Sequence, residues 1–178
     1  MEINDGTGKG YKAGVNNENR LLVNGVIEDI QYHTNKLEGD DYSIIVDTIT
    51  DGTDNHFLYI KNNDAKNLII TSINYFAADD TELYILTNVT GTPTNASDET
   101  VTNRNVGSGN TPDADIKGGV NLQLENGGEL ERIKILAADG SKKLEWESTL
   151  IIPKNRTLVF ASSAETTINC TINIFFHD

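Results

Sequence analysis

Thr167-Ile168-Asn169-Cys170-Thr171-Ile172-Asn173-Ile174-Phe175-Phe176-His177 is the stretch on which the fold turns. Ile168, Cys170, Ile172, Ile174 and Phe176 fall on one side of a period of two, and Asn169, Thr171 and Asn173 on the other. Successive side chains of an extended chain point to opposite faces, so this is a β-strand with one apolar and one polar face. Coiled into a helix, the same residues would scatter their apolar side chains around the axis.

Working outward, the pattern repeats. Residues 158–160, 150–152, 144–146 and 133–136 are short apolar segments, spaced by Ser162-Ser163, Pro153-Lys154-Asn155 and Asp139-Gly140. Val120, Leu122 and Leu124 alternate with Asn121, Gln123 and Glu125, which predicts a strand with one solvated face ending at Asn126-Gly127-Gly128. Nearer the start, Tyr42, Ile44 and Val46 precede Asp51-Gly52-Thr53-Asp54 and then residues 57–60, a hairpin signature. Residues 68–76 and 83–89 carry apolar side chains on both faces and are expected to be covered on two sides. Residues 90–119 are Thr, Asn, Gly, Asp and Pro, which predicts an unusually long loop. About eight or nine short strands without a long helix predict an all-β fold, a two-sheet β-sandwich with jelly-roll or Greek-key connections. A closed barrel is the alternative.

The opening residues read differently. Asp5-Gly6-Thr7-Gly8-Lys9-Gly10-Tyr11-Lys12-Ala13-Gly14-Val15-Asn16-Asn17-Glu18-Asn19-Arg20 is polar and rich in Gly and Asn. Ordering each backbone residue costs about 1–2 kcal/mol, and little apolar burial is on offer to offset it. Residues 1–40 are therefore expected to be an extended N-terminal arm and crossing segment, and residues 41–178 the sandwich domain. Tyr11, Leu21, Leu22 and Val23 are the expected partner-binding anchors of that arm. Ile27, Ile30 and Leu37 fit helical spacing loosely, consistent with a single helical turn or an irregular crossing.

With 27 acidic against 14 basic residues the formal charge is −13, which opposes direct binding to nucleic acid or an anionic membrane. The lone Cys170 excludes an intramolecular disulfide and reads as a small core residue. No charged-and-apolar leader or membrane-length apolar run is legible, so a soluble product without a signal peptide is expected. The sequons at Asn88, Asn95, Asn155 and Asn169 are explained by the frequency of Asn and Thr, and none is read as glycosylated.

Candidate chemistry is sparse. Gly6-Thr7-Gly8-Lys9-Gly10 lacks the spacing of a phosphate loop, with Ile3 where the first glycine belongs and Gly10 where Ser or Thr belongs. His33, His56 and His177 match no metal pair. Asp40, Asp41, Asp51, Asp54, Asp79, Asp80, Asp113 and Asp115 lie in turns where calcium ligands gather, yet none follows a complete calcium loop. Glu145 and Glu147 flank Trp146, as paired carboxylates beside a sugar-stacking ring would in a glycosidase; one anchor between two solvated charges is the simpler reading. There is no Gly-x-Ser-x-Gly elbow. No catalytic, cofactor or metal residue is assigned, and the chain is not expected to be an enzyme.

The opening stretch from Asp5 to Leu21 resembles the amino-terminal arm of small virion structural proteins of tailed bacteriophages. Phe57-Leu58-Tyr59-Ile60-Lys61-Asn62-Asn63, taken with Ile152-Pro153-Lys154-Asn155-Arg156-Thr157-Leu158-Val159, carries the same resemblance. The acidic middle loop departs from it. The resemblance implies a noncatalytic structural subunit made in the host cytoplasm and placed in the virion. Capsid decoration or a head vertex is the leading expectation, with a homotrimer and other virion proteins as partners. A tail or fibre component, or a carbohydrate-binding β-sandwich using Trp146, Tyr84 or residues 90–119, is the alternative.

Overall fold

The period-two segments pair into sheets, and the pairing has a simple rule. In a computed structural model the described residues are 30–178, apart from 53, 54 and 126 and the side chains of 147 and 148. To these are added the backbones of Ile3–Asn4, Lys12–Val15 and Leu21–Leu22. The chain divides into two units, Met1–Ile30 and Gln31–Asp178.

In the first unit, β1 (Ile3–Asn4), β2 (Lys12–Val15) and β3 (Leu21–Leu22) form an antiparallel sheet in that order. Ile3 lies opposite Ala13, and Val15 opposite Leu21.

The second unit follows α1 (Ile30–Leu37) with β4 (Asp41–Ile49), β5 (Asn55–Asn62), β6 (Asn67–Ala77) and β7 (Thr81–Thr87). The short strands β8 (Ser97–Asp98), β9 (Thr100–Asn103) and β10 (Ala114–Gly118) come next. Then come β11 (Gly128–Ile135), β12 (Lys142–Ile152), β13 (Thr157–Ser162) and β14 (Thr167–His177). One sheet has the order β11-β7-β13-β5-β10-β8 and the other β12-β6-β14-β4-β9. Strand β7 pairs with β11, β6 with β12, β5 with β13 and β4 with β14, all antiparallel. The second unit is thus one long double strand, closed at a tip spanning residues 88–127 and rolled so that successive pairs alternate between sheets. That nesting is the jelly-roll form of the two-sheet sandwich.

Inward positions of both sheets make one core, which includes Ile44, Ile60, Ile73, Ile85, Phe160 and Ile172. Phe57 packs against Tyr75 and Phe160, with ring centroids 6.3 and 6.5 Å apart. Each such side chain contributes about 1.5–3 kcal/mol on burial. Cys170 is buried among them, and burial pushes its thiol pKa up.

Several details differ from the sequence reading. Strands β4 and β5 are not a hairpin; the turn between them crosses from one sheet to the other, because each pairs with a later strand. Residues 144–146 and 150–152 are one strand, β12, in which residues 146–149 stand opposite Thr71 alone as a bulge. Residues 120–124 are not a strand: Gln123 has φ of 49°, a left-handed turn that breaks extension. The segment expected as a loop at 90–119 carries β8, β9 and β10. Strand β6 is buried on both faces at Leu68, Ile69 and Ile70 and again at Ser72 and Ile73, while Asn74 is exposed; β7 is buried inside and half-buried outside.

The crossing segment makes two helical turns. Glu38 and Gly39 N–H groups both donate to the Thr34 carbonyl, and Gly39, at φ of 70°, takes the left-handed position that ends the helix. Asn105 donates to the Asn35 carbonyl, Asn110 to that of Glu38 and Asn103 to that of Gly39. These are the carbonyls a helix end leaves without partners. Residues 31–40 therefore belong with the sandwich, and the division at 30/31 lies ten residues before the expected 40/41.

Candidate functional site

The jelly roll leaves an outward face on each sheet and an open side at each end, and the tip treats them unequally. On the six-stranded sheet the outward positions include Tyr59 and Lys61 of β5, Asp115 and Lys117 of β10, Val159 and Ala161 of β13, and Tyr84 and Leu86 of β7. Residues 88–96 and 119–125 of the tip lie over them. Val89, Leu122 and Leu124 from the tip bury against Tyr59 and Val159, a second apolar cluster separate from the core. Backbone bonds from Gly119 to Phe57 and from Leu122 to His56 pin this cover to β5.

Beside the cluster the cover stands off the sheet and leaves a cleft of about 490 Å³. Its sheet side is a two-by-two array, since Tyr59 is registered with Lys117 and Lys61 with Asp115. Its other side is Gly91, Thr92, Pro93 and Ala96. Lys117 pairs with Asp98, while Lys61 makes no ion pair among the described residues. Burial raises the pKa of the Tyr59 hydroxyl and the Asp115 carboxylate adds to the shift, so the phenol stays protonated as a hydrogen-bond donor at neutral pH.

The cleft wall is held in an uncommon backbone. Asn88, Gly91 and Asn95 all have positive φ, 55°, 98° and 54°. The Asn95 carbonyl sits so close to Gly119 that a Cβ there would lie 2.4 Å from it. The Thr94 N–H donates to the Leu122 carbonyl, and its hydroxyl to Gln123.

A second cleft on the same face, about 260 Å³, lies where small Ala161 separates His56 from Tyr84. Arg132 stacks over the Tyr84 ring at 4.7 Å and holds Glu129 through two bonds of 3.1 and 2.7 Å. The guanidinium therefore holds the Glu129 carboxyl below its usual range.

At the sides of the sandwich, one single residue, Glu99, carries the chain from β8 in the six-stranded sheet to β9 in the five-stranded one. Its side chain occupies the space a Cβ at Gly118 would need, and burial raises its carboxyl pKa. The opposite side is bounded by the long edge strands β11 and β12. There Trp146 Nε1 donates to Glu131 at 2.9 Å, and a groove of about 390 Å³ runs between Leu130, Ile151 and Pro153. Leu130 is 54% exposed and Ile151 49%.

Of the expected anchors, Tyr11 and Val23 lie outside the described residues, and the backbones of Leu21 and Leu22 pair with those of Val15 and Gly14. Trp146 packs on the core between β11 and β12, with Glu145 exposed beside it; the Glu147 side chain is outside the described residues. Asp41 is buried and bonded to Gln31 and Arg104, and Asp40 to Tyr42, Lys66 and Asn110. Asp51, Asp79, Asp80, Asp113 and Asp115 are exposed, and Asp54 is outside the described residues. Among the described residues no three His, Cys, Asp or Glu side chains come together as a metal site. His33 is exposed, and His56 and His177 are half-buried on separate strands. Among the described residues no helix is long and apolar enough to cross a membrane.

Sequence reasoning named residues 90–119, which include Asp115 and Lys117, and Tyr84, but missed Tyr59 and Lys61 as site residues. Alternation at 59/61 and 115/117 is legible, while the register that joins the two strands is not. Comparisons with family models, curated proteins and solved structures returned no match.

Proposed function

We propose that the chain is a noncatalytic virion structural subunit of the tailed-bacteriophage kind, a capsid decoration or head-vertex protein. It associates with copies of itself, as a homotrimer, and with other virion proteins. A jelly roll alone does not assign this role, because unrelated functions share the fold.

The observation that carries the reading is the asymmetry between the two sides of the sandwich. One side is blunted by β8 and β9, of two and four residues, which is how monomers protect sheet edges. The other ends in β11 and β12, of eight and eleven residues, with Leu130 and Ile151 exposed along the groove between them. Large apolar side chains beside long unpaired edges suit a subunit that completes its burial against a neighbour.

Light scattering on the whole chain tests the self-association. An oligomer is expected, and Leu130→Glu with Ile151→Glu should yield monomers whose β-rich circular dichroism is unchanged. A monomeric wild-type chain at micromolar concentration would overturn the oligomer. For the virion role, mass spectrometry of purified particles should find the chain at structural copy number; its absence would overturn that role.

A further inference from the structure

The 490 Å³ cleft on the six-stranded sheet has no part in the edge-to-edge association proposed above, yet it is the most elaborately built feature of the tip. Its floor is four polar groups at adjacent outward positions of two hydrogen-bonded strands: Tyr59 beside Lys117, and Lys61 beside Asp115. Neighbours on such a floor are about 5 Å apart across the strands and about 7 Å along them. Three of them donate hydrogen bonds, and Asp115 accepts. With Asp98 paired to Lys117, the charges around the cleft cancel, so the site does not select a multiply charged anion. Pro93 and Ala96 give the opposite wall an apolar surface.

The wall itself is preorganised at a conformational cost. Three residues between 88 and 95 have positive φ, two of them asparagines, and Gly119 is needed for Asn95 to approach. Such backbone persists only where the surroundings impose it, and it gathers at ligand sites. Strands β5 and β10 place the polar groups on rigid elements, as a specific site requires.

We propose that this cleft binds a neutral saccharide unit, with a vicinal diol spanning Lys61 and Asp115 and the ring's apolar face against Pro93. A hydroxyl both donates and accepts, so two adjacent hydroxyls match one ammonium and one carboxylate on neighbouring strands. Tyr59, 7% exposed and lining the cleft, supplies a further donor at the floor. The proposal does not rest on the virion reading; either stands without the other.

The test is a glycan array carrying neutral and acidic mono- and disaccharides, probed with the whole labelled chain. Binding to neutral glycans is expected. Lys61→Ala and Asp115→Ala should each weaken it about tenfold, the effect of losing about 1.4 kcal/mol, while thermal unfolding of both variants matches wild type. In amide NMR with the methyl glycoside of the best array ligand, shifts should centre on residues 59–61, 91–96 and 115–117. A blank array would overturn the proposal. So would binding confined to acidic glycans, or neutral binding that both variants retain in full.

Discussion

The outward faces of the two sheets come from the same alternation and have met different fates. On the six-stranded sheet the tip returns across the face, buries Leu122 and Leu124 against Tyr59 and Val159, and leaves clefts beside the contact. On the five-stranded sheet the equivalent face buries Ile69 and Phe175 near one end, and its middle is a ladder of short polar side chains. Ser43 donates to Asn173, and Asn173 to Ser72, while Asn74, Asn169, Ile45 and Ile49 stand exposed. The difference shows that strand pattern sets what faces outward, and that on the six-stranded sheet the tip decides which of those residues become interior.

That contrast is open to mutation. The largest effect is expected at Leu122, fully buried although it lies outside any strand. Leu122→Ala should cost about 2–4 kcal/mol, lowering the midpoint of thermal unfolding by about 4–16 °C. A loss below about 1 kcal/mol would mean that the cover contributes little to stability. Gly119→Ala places a methyl against the Asn95 carbonyl and should cost about 1–3 kcal/mol, with amide NMR changes centred on 88–96.

A pH series sharpens the contrast where the chain passes between the sheets. Burial raises the Glu99 carboxyl above its ordinary value, so the folded state holds its proton more tightly than the unfolded one. Its contribution is fully present below the ordinary glutamate range and is lost as pH rises through the raised value. Glu99→Gln should therefore flatten the decline in stability over that window, measured as unfolding midpoint against pH; an unchanged slope would refute the buried setting. The smallest effect belongs to the exposed part of the five-stranded face, where Ile45→Thr should shift stability by no more than about 0.5 kcal/mol. A loss as large as that of Leu122→Ala would show that this part of the face is covered too.

The rolled body was largely legible because its strands bury one face. The alternation at Tyr42, Ile44 and Val46, and from Ile168 to Phe176, marks both strand and inward side. What remained hidden was pairing: nothing local tells Asp47 that its partner is Asn169 and not a residue of β5. The tip was misread for a different reason. Leu122 and Leu124 have a strand's period, but Gln123 turns left-handed and the two leucines reach their cluster as an irregular strap. Strand β10 offers only Ile116 as a fully buried large side chain, too little to stand out among Thr, Asn and Gly. The cleft floor inherits both difficulties, since two of its residues lie in that weakly marked strand and meet Tyr59 and Lys61 only through register.

The nested pairing also sets a timetable for synthesis. Strand β14 lies between β6 and β4 in the middle of its sheet, so β4 has only the four-residue β9 beside it until residues such as Asn173, 130 positions after Ser43, have left the ribosome. Until then the five-stranded sheet is split into two separate pairs, β12 with β6 and β4 with β9, and its middle is missing. Contacts so distant in sequence make folding slow and leave the nascent chain's apolar strands exposed. A ribosome stalled before Thr167 should accordingly carry a chain that proteases cut throughout β4 and β6, and release of the last strand should render both resistant together.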